Sequence, residues 1–127
     1  MANWTPTGFI GELFRVTGRH VAPPSGIPSP LQWGDETVAR ERLGHCASTI
    51  EMARRHACLE LPFSVSETVE FYRLNYGPTL KAFAALGASE QRELRQDLES
   101  LFRSHNRAVD GPTIIEAEFL DCTAVRS

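Results

Sequence analysis

The sequence lacks the features that would assign it to several large classes of protein. It has no apolar run near the roughly 20 residues that a membrane-spanning helix needs, and no basic-then-apolar secretion signal. Its three cysteines, Cys46, Cys58 and Cys122, are an odd number without the spacing of a disulfide framework. Its net charge of −3 provides no basic surface for nucleic acid or anionic lipid. We therefore expect a reduced, cytoplasmic chain that binds neither membranes nor nucleic acid.

A further absence concerns glycine. Nine glycines are scattered along the chain, and none forms Gly-x-Gly or Gly-x-Gly-x-x-Gly after an apolar strand. In dinucleotide-binding folds that motif lets the backbone approach the cofactor closely. We therefore expect no cofactor-binding residues in the isolated chain.

The patterns that are present predict an α+β fold in a single domain, residues 1–127. Alternating apolar residues predict two long antiparallel strands, and helical periodicity with capping residues predicts four to five helices. The predicted strands are 47–63, with a change of apolar face around Arg54 and Arg55, and 113–125, with Ile115, Ala117 and Phe119 on one face. The predicted helices are 6–20, 36–42, 65–76, 78–86 and one that Ser89 caps. Thr5, Asp35 and a capping box of Ser64 and Glu67 are the predicted caps of the first three, and residues 22–34 are predicted as a loop.

Two strands alone make a marginal sheet with unpaired edges. We expect a homodimer in which two such hairpins pair edge to edge as a four-stranded sheet, with helices on one side.

Four segments resemble parts of one enzyme family. Residues 3–9 read Asn-Trp-Thr-Pro-Thr-Gly-Phe, and residues 23–30 form a proline-rich loop followed by Trp33-Gly34. Residues 70–83 read Glu-Phe-Tyr-Arg-Leu-Asn-Tyr-Gly-Pro-Thr-Leu-Lys-Ala-Phe, and residues 116–120 read Glu-Ala-Glu-Phe-Leu. They are similar, in that order, to four parts of class I S-adenosylmethionine (SAM)-dependent methyltransferases of the UbiE-like small-molecule kind: the helix start after the fifth strand, the following loop, the helical cap insertion and the last strand.

Two parts of that family are missing from the sequence: the apolar strand before the helix start and the glycine-rich loop. The resemblance therefore implies the C-terminal, substrate-covering half of a methyltransferase without the half that binds SAM. SAM would then be bound only together with a partner domain, such as a separate Rossmann-type chain.

The resemblance also implies a small-molecule pocket, because in that family the cap helices and the loop after the fifth strand close over the substrate. Apolar walls with a few phenol hydroxyls suit a small, flat apolar or aromatic ligand. The alternative is that these aromatic side chains simply form the core. The candidate ligand-binding residues are Trp4, Phe9, Trp33, Phe71, Tyr72 and Tyr76.

Other chemistry receives less support from the sequence. His45, Cys46, His56 and Cys58 lack the tight pairs typical of zinc sites, so we expect no metal. Cys58 and Cys122 fall within predicted strands and are expected to be buried.

Two interpretations of the charged residues on the predicted strands stay open. His56 could act in acid–base chemistry with a carboxylate of a neighbouring strand, namely Glu51, Glu60 or Glu118. Ion pairs between strands, of Arg54 or Arg55 with Glu116 or Glu118, are the structural alternative. No catalytic residue is assigned.

The leading hypothesis is a dimeric, methyltransferase-like module without its own SAM site that binds a small molecule or serves as an accessory domain. Three alternatives remain open. The chain is the substrate-lid subunit of a split SAM-dependent methyltransferase, a cofactor-free cyclase or isomerase built on the same pocket, or a remnant without a role.

Overall fold

The computed structural model describes all 127 residues and has the α+β architecture expected from the sequence. Three strands form one sheet, and five α-helices and a short 3-10 helix complete the chain. None of the α-helices combines the length and the hydropathy that a membrane crossing requires. The elements in chain order are β1 (Ala2–Trp4), α1 (Phe9–His20), the 3-10 helix (Pro30–Gly34), α2 (Glu36–Leu43), β2 (Ala47–Leu61), α3 (Val65–Asn75), α4 (Gly77–Ala84), α5 (Ala88–His105) and β3 (Thr113–Arg126).

The sheet has the strand order β1–β3–β2, so β3 lies in its centre. β1 pairs with β3 in the antiparallel sense, with Trp4 opposite Phe119. On the other side, the amide of Ser127 donates to the carbonyl of Cys46 at 3.0 Å, where the start of β2 meets the end of β3. The expectation that no strand precedes the first helix is wrong. β1 has only three residues, too few to show the alternation by which strands are recognised.

The chain divides into two compact units, of which the first comprises Met1–Gly11, Gly26–Ala57 and Ala117–Ser127. Thr5 holds the turn before α1: the Gly8 amide donates to Thr5 Oγ1 at 3.1 Å, and Thr5 Oγ1 donates to Glu118 Oε1 at 2.7 Å. The helix itself begins at Phe9, three residues later than predicted. The buried apolar residues of this unit are Phe9, Ile10, Leu31, Ala39, Ala117, Leu120 and Cys122.

The second unit comprises Glu12–Ser25 and Cys58–Glu116. In it α3 packs against α4 and α5. The predicted start of α3 is confirmed, because Ser64 and Glu67 form a reciprocal capping box. The buried apolar residues of this unit are Leu13, Val16, Val69, Ala82, Phe83, Leu94, Leu98, Leu101, Phe102 and Ile115.

Two starts of elements differ from the predictions. Gly87, not Ser89, precedes the first residue of α5, and the Gly87 amide donates to Glu90 Oε2 at 2.8 Å. A 3-10 helix lies within the segment 22–34 that was predicted as loop, and its start is capped by Ser29, whose Oγ accepts from the Leu31 amide at 3.3 Å.

Both long strands change the parity of their buried residues along their length. In β2 the half-buried residues change from even to odd positions across the exposed stretch 53–56, as predicted. In β3 Ala117 is buried but the next buried residue is Leu120, so the expected alternation through Phe119 is wrong. The change falls where β1 joins the sheet, and the rings of Trp4 and Phe119 meet edge to face with centroids 6.3 Å apart.

Alanine substitutions at the two glycines of α1 are expected to have opposite effects. A Cβ at Gly11 would lie 2.0 Å from the Pro6 carbonyl oxygen, whereas a Cβ at Gly18 meets nothing within 4 Å. Gly18→Ala should stabilise the protein by up to about 1 kcal/mol, because alanine loses less backbone entropy in a helix. Gly11→Ala should destabilise it by about 1–3 kcal/mol through overpacking. Urea denaturation measures both, and equal stabilisation by the two variants would contradict the close approach of α1 to Pro6.

Glu70 of α3 is expected to make stability depend on pH. It accepts hydrogen bonds from Arg73, at 2.9 Å, and from Arg95 of α5. These bonds, first those from Arg73, lower the pKa of Glu70 from 4.5 to about 2. Because the pKa is lowered in the folded state, the stabilisation is present above about pH 4.5 and is lost as the pH falls through about 2.

The variant Glu70→Gln tests this. We expect it to be less stable than the parent at neutral pH and to approach the parent's stability as the pH falls toward 2, as followed by urea denaturation. The effect should be modest, because 36% of the Glu70 side chain is exposed and solvent screens the pairs. A constant difference in stability across this pH range would contradict the assignment.

Candidate functional site

An apolar cavity of about 290 Å³ lies in the second unit. This volume is at the lower end of the range of about 300–1,000 Å³ found for small-molecule sites. Three chain segments line it: one face of α1 with the residue after it, the loop that follows, and one face of α4 with the residue before it. The lining residues are Leu13, Phe14, Thr17, Gly18, Val21, Ala22, Pro23, Pro24, Tyr76, Pro78, Thr79, Lys81 and Ala82.

The α1 wall follows from helical spacing. Leu13, Thr17 and Val21 recur every four residues, so they lie along one side of the helix and its last turn. The Thr17 hydroxyl is already paired, since it donates to the Leu13 carbonyl at 2.8 Å. Gly18 on the same wall has no side chain, and the space that a Cβ would occupy is open. This wall therefore offers an apolar surface and, at Gly18, open space that a ligand can occupy.

The α4 wall begins where the chain breaks between two helices. Pro78 lies in the first turn of α4, where the missing amide hydrogen costs nothing. Pro78, Thr79, Lys81 and Ala82 are the second, third, fifth and sixth residues of α4, and this spacing places them on one side of the helix. Tyr76, which precedes α4, adds a phenol ring, and burial raises the pKa of its hydroxyl. This wall therefore combines apolar surface with three polar groups.

Thr79 carries the unusual feature of the cavity. Its side chain is 1% exposed, and its Oγ1 is buried without a hydrogen-bond partner. The other buried side-chain nitrogen and oxygen atoms are paired; the Thr68 hydroxyl, for example, donates to the Thr113 hydroxyl at 3.1 Å. An unpaired buried hydroxyl costs about 1–3 kcal/mol. Thr79 therefore brings a polar group that the protein itself leaves unpaired into the lining of a mainly apolar cavity.

The structure brings three of the six predicted ligand-binding residues together. Phe71, Tyr72 and Tyr76 line a second, more open cavity of about 430 Å³ in the same unit. Tyr76 lines both cavities. The rings of Tyr72 and Tyr76 have centroids 5.3 Å apart, and 42% of Phe71 is exposed. Ligand binding by these three residues stays a prediction.

The other three predicted residues belong to the first unit. Phe9 is 1% exposed and lies in the core. Trp4 contacts Phe119, and the guanidinium carbon of Arg42 lies 4.6 Å from the ring centroid of Trp33. Each of these three side chains thus has a packing partner or a core position, and none lines the cavity that holds Thr79.

The predicted acid–base and ion-pair partners are only partly brought together. His56 Nε2 lies 3.8 Å from Glu118 Oε2, beyond hydrogen-bonding distance, and 55% of the His56 side chain is exposed. Neither residue lines the cavity. A catalytic role of His56 therefore stays a prediction.

The two arginines of β2 form ion pairs with carboxylates other than those expected. Arg55 pairs with Asp121 of β3 at 2.9 Å, and Arg54 pairs with Glu36 of α2 at 3.1 Å. The expected pairs with Glu116 or Glu118 are wrong, because the register of the sheet and the position of α2 decide which carboxylates are within reach.

The cysteines differ from one another in burial. Cys122 is buried as predicted, but Cys58 is exposed, so the expectation that both are buried is wrong for Cys58. Desolvation and the neighbouring Glu60 raise the pKa of the Cys58 thiol, which disfavours the reactive thiolate. The chain contains no group of three or more His, Cys, Asp or Glu side chains placed to hold a metal ion.

Sequence reasoning missed Gly18, Thr79 and Lys81 as cavity residues. A glycine inside an apolar helix face is a signal of open space or close packing, but the sequence does not tell which of the two applies. Thr79 and Lys81 lie within the segment 70–83, which the sequence predicts as helical. Their burial and partners depend on tertiary packing, which no local pattern reports.

The missing hydrogen-bond partner of the Thr79 hydroxyl can be tested without a ligand. Thr79→Val removes an unpaired buried hydroxyl and should raise the free energy of unfolding by about 1 kcal/mol. The matched control Thr68→Val removes a paired hydroxyl and should lower it by about the same amount. Thermal and urea denaturation measure both, and a loss of stability in Thr79→Val would show that its hydroxyl has a partner in the protein.

Comparison with known proteins gives distant relatives and no family. No family model matches the chain. It is 27% identical over 124 residues to the uncharacterized protein Rv1403c of Mycobacterium tuberculosis and 29% identical over 126 residues to the uncharacterized protein Rv1405c of the same organism. The uncharacterized protein Mb1438c of Mycobacterium bovis is 27% identical. Each match covers 96% of this chain, which spans 44% of the relative's length.

Proposed function

We propose that this chain is the substrate-covering domain of a methyltransferase-like protein and that it binds a small apolar molecule in the cavity between α1 and α4. The observation that carries the proposal is a mainly apolar cavity whose lining includes Thr79, a residue with a buried and unpaired hydroxyl. Native proteins rarely leave a buried polar group unpaired, and such a group marks a site where another partner is expected.

The cavity walls define the kind of ligand. A molecule that fills the space removes apolar surface from water at α1, at the proline loop and at α4, which is favourable by about 25 cal/mol per Å². Phe14 and Tyr76 offer aromatic rings to a flat ligand. Tyr76, Thr79 and Lys81 supply the polar groups of the α4 wall, so the site suits a ligand that carries a hydroxyl, carbonyl or carboxylate.

The position of two sequence motifs supports the methyltransferase-like part of the proposal. Pro23 and Pro24 belong to the proline-rich segment and Thr79 belongs to the cap segment, and both segments resemble parts of the methyltransferase family. They lie far apart in the sequence but line the same cavity. The relatives also extend well beyond the matched part, which leaves room in those proteins for a SAM-binding domain.

The proposal assigns SAM binding to another domain or chain. Nothing in this sequence forms the glycine-rich loop that such a cofactor needs. We propose that the chain pairs with a second copy of itself in the cytoplasm, and that SAM is bound, where it is bound at all, by a separate Rossmann-type chain or domain. β2 supports pairing between chains, because it is 15 residues long and lies at the edge of the sheet.

A binding measurement with 1-naphthol tests the cavity, since this molecule is flat, apolar and carries one hydroxyl. Gly18→Phe should fill the open space at α1 and weaken 1-naphthol binding at least about tenfold, because the ligand and the new ring compete for one volume. The matched control Gly18→Ala should leave the dissociation constant within about twofold. Fluorescence titration measures the constants, and equal affinity of Gly18→Phe and the parent would refute the site.

Calorimetry with SAM and a mass measurement in solution test the remaining parts of the proposal separately. We expect no SAM binding by the chain alone and a mass of two chains at micromolar concentration. Saturable binding of SAM by the chain alone would contradict the proposal that this chain lacks a SAM site. A mass of one chain at micromolar concentration would contradict the homodimer. The separate Rossmann-type chain would then remain as the proposed partner.

A further inference from the structure

The cavity wall contains the only lysine of the chain. Lys81 is one of 13 basic residues, and the other 12 are arginines. It lies on the cavity face of α4, two positions after Thr79, and it is exposed where Thr79 is buried. The lining therefore includes both a buried residue with a hydroxyl and an exposed residue with a positive charge.

The charge of Lys81 is not balanced within the cavity. The lining includes no aspartate or glutamate. Lys81 forms no ion pair, whereas nearby helices use their arginines in pairs, such as Arg73 and Arg95 with Glu70. A cavity with one cation and no carboxylate in its wall favours an anionic group on its ligand.

Resting on the proposed function, we infer that the cavity takes a small aryl or short alkyl carboxylate: the apolar body fills the space between α1 and α4, and the carboxylate lies at Lys81. A phosphate requires more donors than a single ammonium and a hydroxyl supply, because it carries about two charges and several acceptor oxygens. A carboxylate carries one charge and matches one ammonium. A cationic ligand would instead be repelled.

The experiment compares two probes of nearly equal size. 1-Naphthoate carries a carboxylate, and 1-naphthalenemethanol carries a neutral hydroxyl on the same ring. We expect naphthoate to bind the full chain about five- to tenfold more tightly, since a hydrogen bond to a charged group exceeds one between neutral groups. Lys81→Arg, which keeps the charge, should retain most of this preference. Lys81→Met, which keeps the length and loses the charge, should abolish it.

Because the chain has a single lysine, ligand binding at Lys81 can be followed directly by NMR. Reductive methylation with carbon-13 formaldehyde labels Lys81 and the amino terminus, and the two dimethylamine signals are separate from each other by NMR. Naphthoate should shift the Lys81 signal in a saturable way, with the same dissociation constant as a calorimetric titration of the chain with naphthoate.

The outcomes separate this inference from the proposed function. Equal affinity of the two probes for the parent chain would overturn the inference and leave the apolar site intact. A preference for naphthoate that persists in Lys81→Met would overturn the assignment to Lys81. Failure of both probes to bind would overturn the proposed function and this inference together.

Discussion

The central position of β3 constrains the first unit more than any other feature. A central strand must satisfy its amide and carbonyl groups on both sides, and a buried unpaired backbone group is costly. β1 supplies the partners on one side, so that the Cys122 amide donates to the Met1 carbonyl at 2.7 Å. β2 supplies them on the other side. The segment that leads into α1 is thereby placed against β3.

The start of α1 follows from that pairing. The Thr5 amide donates to the Glu118 carbonyl at 3.1 Å, and the Thr5 hydroxyl bonds the Glu118 carboxylate. Gly8 is then close to β3, since a Cβ at Gly8 would lie 2.9 Å from the Cβ of Glu118. A residue that looks like an ordinary helix cap in the sequence therefore also joins the chain to the central strand, and its two roles are compatible because a hydroxyl donates and accepts at once.

The second unit contains a buried hydroxyl that, unlike that of Thr5, has no hydrogen-bond partner. Thr68 and Thr113 pair with each other and so remove the cost of their burial, whereas Thr79 is buried beside open apolar space without a partner. Proteins tend to retain such local conflicts where function needs them. The conflict lies in the segment 70–83, two positions before the one lysine of the chain. The proposed binding role rests on this conflict.

The parts of the fold that were predictable depend on neighbours in sequence. The capping box of Ser64 and Glu67, the cap of Asp35 on α2, and the two long strands were all confirmed, because each rests on residues within one or two turns or on regular alternation. The same local reasoning chose Ser89 where Gly87 precedes α5. The Glu90 side chain satisfies the Gly87 amide there, and the alternative cap was equally plausible from the sequence.

The candidate site was less accessible to sequence reasoning. Aromatic residues were selected for their chemistry, and of the six only Tyr76 lines the cavity with Thr79. The amino-acid sequence by itself determined the α+β class, the long strands and most helix starts, because short-range hydrogen bonds and periodicity decide these features. Only the tertiary structure decided that β1 pairs with β3, that burial in β3 changes parity after Ala117, and that the Thr79 hydroxyl has no partner. These depend on which distant segments come into contact, and such contacts leave no pattern in neighbouring residues.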